Sequence, residues 1–139
     1  DLISPWADVK MDVHDIPMED NTFDVVICNH VLEHVDDSHK VMTEFYRVMR
    51  PGGWGIFQVP IDTKNPNTEE DKSVTDPKER ERLYWQDDHL RLFGLDYGKK
   101  LEAAGFKVTE SNFINELDPK LVERYALPKG EIIYFCEKK

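Results

Sequence analysis

Residues 23–35, Phe-Asp-Val-Val-Ile-Cys-Asn-His-Val-Leu-Glu-His-Val, constrain this chain most. The stretch 23–29 is the near-continuous apolar run expected of a strand in a parallel sheet covered on both faces. It stops at Asn29 and His30, and an amphipathic helix follows soon after. Ligands of open α/β sheets bind in the crevice beyond the carboxyl ends of the strands. Asn29, His30, Glu33 and His34 therefore stand where a site belongs.

The flanking pattern repeats that alternation. Residues 7–13 alternate in part and read as a short strand. Pro17 and the Asp20-Asn21 pair mark a loop. Asp36 or Asp37 can cap a helix running to about Arg50, with Val41, Phe45, Val48 and Met49 on one face. Pro51-Gly52-Gly53 is expected to stop it, and 54–60 is the next strand. A helix over 95–104, a strand over 106–112, a short helix opened by Asp118-Pro119 and a strand over 131–137 complete the reading. The chain is expected to be one α/β domain over 1–139, with a charged insertion at 62–93.

That insertion carries ten acidic and basic residues between Glu69 and Arg82, with Pro66 and Pro77 nearby. Such composition suits a solvated segment. Its place after a strand end also suits a lid over a substrate. The chain opens Asp1-Leu2-Ile3-Ser4-Pro5, without Met and almost at a strand, and so reads as a piece of a longer protein.

The net charge of -10 argues against a nucleic-acid partner, whose phosphates need a basic face. No apolar run approaches the roughly 20 residues of a membrane span. Cys28 and Cys136 sit inside expected strands without metal-ligand spacing, and read as small buried hydrophobes in a reducing, cytoplasmic compartment. Trp6, Trp54 and Trp85 read as packing residues.

His30-x-x-Glu33-His34 spells H-x-x-E-H, a zinc-protease pattern in inverted order. That site needs both histidines on one long helix and a further downstream ligand, whereas this motif leaves a strand; no metal is expected. Asp12 and Asp15 end the first expected strand, where an acid can accept from an amino or hydroxyl group. His89 and Arg91 would share one face of an extended segment, as surface polar residues or as part of a site. No G-x-G-x-x-G fingerprint occurs, and Gly52-Gly53 lies between helix and strand, the wrong order for a phosphate loop. A nicotinamide-dependent oxidoreductase would need that fingerprint.

Residues 12–26, 29–35 (NHVLEHV) and 47–53 (RVMRPGG) together resemble the class I S-adenosylmethionine-dependent methyltransferases, and most closely their type 11 small-molecule enzymes. The resemblance implies a Rossmann-like sheet in the order 3-2-1-4-5-7-6 with strand 7 antiparallel. Here 7–13 would be strand 3, 23–29 strand 4, 54–60 strand 5, 106–112 strand 6 and 131–137 strand 7. It implies S-adenosylmethionine as cofactor, Asp12 accepting from the adenine amino group, the Val13 N–H at the ring, and Asn29 and His30 at the methionine end. His30, His34 and His89 are candidate bases, because neutral imidazole is available near pH 7. Glu33, Tyr84 and Arg91 are candidates on the substrate side.

The sequence departs from the family in lacking its glycine-rich loop and the acidic residue that holds the ribose. Without strands 1 and 2, residues 7–13 have no normal neighbour, and 23–29 exposes an apolar edge through which two copies could pair. The function implied is methyl transfer to a small-molecule acceptor, as the C-terminal part of a larger enzyme. The alternative is a silent fragment or structural module that does not bind cofactor alone.

Overall fold

The apolar run forms β1 (Phe23–Asn29), a strand at the edge of one mixed four-stranded sheet. The structure, a computed structural model, describes residues 4–139, so Asp1-Leu2-Ile3 of the opening stretch lie outside it. The chain continues through α1 (Ser38–Val48), β2 (Met49–Gln58), α2 (Pro77–Tyr84), α3 (Tyr97–Ala103), β3 (Lys107–Ser111), α4 (Pro119–Arg124) and β4 (Ile133–Glu137). Sheet order is β1-β2-β4-β3; β1 and β2 are parallel, and β4 runs antiparallel to both of its neighbours. This is the order expected for family strands 4, 5, 7 and 6, with the antiparallel strand where it was expected.

Asp37 caps α1, its carboxylate accepting from the Lys40 N–H at 2.9 Å. Val41, Met42, Phe45 and Val48 are buried, the helical stripe read from the sequence. The helix ends at Val48 and passes straight into β2. Pro51-Gly52-Gly53 therefore lies inside the strand rather than behind the helix. Four residues of β2 lie between Met49 and Trp54 against one of β1 between Phe23 and Val25, so the segment bulges. Gly52 takes φ +80°, and a Cβ on Gly53 would stand 2.8 Å from the Asp24 carbonyl oxygen. Only glycine lets the two backbones approach there.

The core lies between the sheet, α1 and α3. Phe45 and Phe106 each pack on Phe57, with ring centroids 5.2 Å apart. Phe93, Tyr97 and Tyr134 continue the ring contacts, and the Tyr97 hydroxyl donates to the Phe57 carbonyl at 3.1 Å.

Three sequence expectations are corrected. Residues 7–13 form no strand, because no neighbouring strand offers them a ladder among the described residues. The sheet accordingly has four strands rather than the family strands 3 to 7. β1 is not covered on both faces: Phe23, Val25 and Ile27 are exposed, Ile27 at 62%, and only Cys28 is buried. No strand pairs with its outer edge among the described residues, so an apolar sequence suited to a central strand stands at a margin. Trp6 and Trp85 are exposed rather than packed, while Trp54 stacks on Phe135.

The 62–93 segment is solvated in its middle and anchored at its end. Asp76 caps α2 and Trp85 closes it in the left-handed conformation. The chain then turns inward, and Tyr84, His89, Arg91, Leu92 and Phe93 are buried. Isolated bridges tie Phe93 to Ile61 and Leu92 to Glu69. The solvated reading fails at 84–93, because the apolar residues beside His89 and Arg91 carry both polar side chains into the interior.

Candidate functional site at the tip of the first strand

The carboxyl end of β1 gathers five ionisable side chains, His30, Glu33, His34, Asp88 and His89. The His30 N–H donates to the Gln58 carbonyl at 2.8 Å, extending the ladder by one bond. His30 then takes φ +55°, an uncommon left-handed conformation for a histidine. The chain turns through residues 31–36, with Leu32 and Glu33 pointing inward and almost wholly buried. His30 Nδ1 lies 3.2 Å from Glu33 Oε1, and His34 Nε2 lies 3.9 Å from the same oxygen. His34 Nδ1 stands 3.2 Å from the Asp88 carboxylate. His89 reaches the group from the far end of the insertion, its ring 4.8 Å from that of His34 at 79°.

His89 Nδ1 sits 2.7 Å from the Tyr84 carbonyl oxygen. A carbonyl only accepts, so Nδ1 carries a proton, and in the neutral ring Nε2 presents a lone pair. Neither that Nε2 nor Glu33 Oε2 has a hydrogen-bond partner, although both atoms are buried. Buried polar atoms without partners cost free energy and call for an explanation. Burial, reinforced by the charge of Glu33, pushes the neighbouring Cys28 thiol up to about 12.

Arg91 holds this turn in place. Its NH1 donates to the Leu32 carbonyl at 2.7 Å and to the Val35 carbonyl, its NH2 to the Asp36 carbonyl, and Nε and NH2 to the Glu70 carboxylate. The Leu90 N–H adds a bond to the Glu33 carbonyl at 2.8 Å. The guanidinium thus fastens 32–36 to the insertion from inside. Tyr84 is likewise internal, its hydroxyl accepting from the Asp71 N–H.

Asp12 lies at a turn rather than at a strand end. Its Oδ1 accepts from the His14 N–H at 2.9 Å and pairs with His14 Nδ1 at 2.7 Å. These bonds hold its exposed carboxyl below the usual range. The Asp37 N–H donates to His14 Nε2, so His14 links this turn to the start of α1. Sequence reading passed over His14, although the Asp12-x-His14 spacing is the available signal.

Two hollows flank the tip. One of about 460 Å³ runs along the open side of β1 and is lined by Val13, Cys28, Asn29 and Val31 among others. The other, of about 410 Å³, lies beyond the ends of β1 and β2, between His30, Gln58, Ile61 and the 128–132 loop. Pro128 and Gly130 mark that loop in the sequence, but only the β2–β4 pairing brings it to His30. The structure joins His30, Glu33, His34 and His89 in one group and places Val13 and Asn29 in one hollow. Tyr84 and Arg91 support the group from behind. No described helix is long and apolar enough to cross a membrane.

Residues 4–57 match the profile of a family described as Methyltransferase domain. Over 55 residues the chain is 45% identical to the ubiquinone/menaquinone biosynthesis C-methyltransferase UbiE of Desulfotalea psychrophila, covering 40% of this chain and 21% of that protein. The match thus spans about a fifth of that relative's length. In three dimensions the chain is similar to a SAM-dependent methyltransferase from Thermotoga maritima, with a TM-score of 0.57 at 18% identity over 94% of this chain and 63% of that one. It is also similar to the [4+2]-cyclase SpnF, with a TM-score of 0.62 at 16% identity over 94% and 56% of the two chains. At such identities the likeness is one of fold, and a fold hosts more than one chemistry.

Proposed function

We propose that this chain is part of a class I S-adenosylmethionine-dependent methyltransferase domain and serves methyl transfer to a small-molecule acceptor held beyond the ends of β1 and β2. The observation that carries this reading is the ionisable group at the β1 tip, set between two hollows with His30 on the rim of one. The residues present fit one wall of the cofactor. Val13 and Asn29 line the same hollow, and Asp12 offers an ionised, exposed carboxylate beside it.

When bound, S-adenosylmethionine supplies an activated methyl group, so the protein's work is positioning and exclusion of water. Asp12 would accept from the adenine amino group, and Asn29 would border the methionine end. His30, 61% exposed at its side chain, takes a proton from an acceptor hydroxyl or amine, with Glu33 behind it fixing the ring. His34 and His89 lie deeper, and Ile61, with Thr63 at the start of the 62–93 insertion, walls the acceptor hollow. The open edge of β1 supports a second reading, a module that pairs with another copy and does not bind cofactor alone.

Calorimetry with S-adenosylhomocysteine separates the two. Heat of binding that weakens in Asn29→Ala and Asp12→Ala supports the enzyme reading. No heat and no thermal shift at millimolar ligand refutes it for this chain and leaves the silent module.

A further inference from the structure

We propose that Glu33, His34 and His89 form a binding site for one divalent transition-metal ion of the zinc class. One ligand atom from each lies within 4.8 Å of the others. Two imidazoles and a carboxylate are a donor set that zinc and its first-row neighbours accept, with a position left open.

The tautomers are set for it. His89 commits Nδ1–H to the Tyr84 carbonyl, so Nε2 is the ligand atom. His34 directs Nδ1 at the Asp88 carboxylate and Nε2 at Glu33. Metal-bound histidines commonly hold their second nitrogen against a carbonyl or carboxylate in this way. The two buried atoms without partners, Glu33 Oε2 and His89 Nε2, belong to two of the three residues. A cation between them supplies the missing partner for both. Ligands about 2.0–2.1 Å from a tetrahedral ion stand about 3.3 Å apart, so the group must close by at most about 1.5 Å. His34, a third exposed, has room to move.

The H-x-x-E-H spelling thus acquires a meaning that its order did not suggest. Residues 31–36 form a turn rather than a helix, so helical spacing does not govern which side chains meet. His89 supplies the downstream ligand, and Arg91 ties its segment to the turn that carries the other two. The open position takes water or an oxygen or nitrogen of a small molecule, and a metal-bound hydroxyl loses its proton more readily. That last use rests on the methyl-transfer reading; metal binding does not.

The test uses the chain stripped with a chelator and titrated with Zn²⁺ and Co²⁺, without any methyl donor. Expected are one equivalent bound, intense visible d–d bands from Co²⁺ and shifts of the His34 and His89 ring resonances on adding Zn²⁺. Uptake should fall as the pH is lowered, because protons compete with the metal for its ligands. Glu33→Gln and His89→Gln should weaken binding by about 100-fold, and His14→Asn should leave it unchanged. No uptake, equal uptake in the variants, or ring shifts confined to His14 and His39 would overturn the site. The ring shifts are read on the unsubstituted chain, so a variant that fails to fold does not shield the proposal. Because S-adenosylhomocysteine binding is measured separately, either reading can fail while the other stands.

Discussion

Replacing Arg91 by Met tests whether the turn at the β1 tip is held from within. The guanidinium is 1% exposed and donates to the carbonyls of Leu32, Val35 and Asp36 and to Glu70. Methionine fills most of the volume but offers no donor. Each carbonyl that stays buried without a partner costs about 1–3 kcal/mol. Part of that is recovered as the turn opens to water. Glu70 is a third exposed, so its loss of charge pairing adds little. The net loss should be about 3–4 kcal/mol, in the range for removing one member of a buried ionic network. For a domain of this size that corresponds to a midpoint lowered by about 10 °C. Urea unfolding followed by far-UV dichroism reads the first quantity, and a thermal scan reads the second. Arg91→Lys should recover only part, because one ammonium cannot reach three carbonyls and a carboxylate together. A loss under about 1 kcal/mol for Arg91→Met, with an unchanged denaturant slope, would refute the tether.

Three further outcomes are expected. The bonds from Arg47 and the Ile16 N–H hold the Glu44 carboxyl below its ordinary value of 4.5, so its contribution is present above that pH and lost as pH falls through the lower folded value. Urea midpoints should therefore decline on acidification below about pH 4.5, and Glu44→Gln should flatten that decline; an unchanged profile in Glu44→Gln would count against it. Burial pushes both thiols up to about 12, so Cys28 and Cys136 should resist a thiol reagent until the chain unfolds; rapid labelling of the folded protein would contradict this. The apolar edge of β1 should give association that rises with concentration in sedimentation velocity and falls in Ile27→Lys; a clean monomer at every concentration would remove the dimer.

Much of the fold was legible. The stripe Val41, Phe45 and Val48 announced α1, Asp118-Pro119 announced α4, and the apolar runs announced β1 and β4. The boundaries slipped where local signals competed. Pro51-Gly52-Gly53 has the composition of a helix stop, yet the pairing with Asp24 and Lys138 draws it into β2 as a bulge. Residues 7–13 have a strand's alternation and no strand to pair with. At the site, Asn29, His30, Glu33 and His34 were legible because a strand end locates them. Arg91 and His89 were named but not understood, since their surroundings come from residues some sixty positions away.

Sequence by itself determined that residues 23–35 run from an apolar strand into a polar tip, because the polarity of successive side chains is a local property of the chain. It also carried the family resemblance through motifs that are contiguous in the chain. Only the tertiary structure decided which side chains meet at the tip. It turned Glu33 inward, brought His89 across from the end of the insertion and left a buried polar atom without a partner on each of these two residues. It also left β1 at the margin of the sheet. Such facts depend on which distant segments meet, and the free energy of a buried donor or acceptor depends on that company rather than on its own position in the chain.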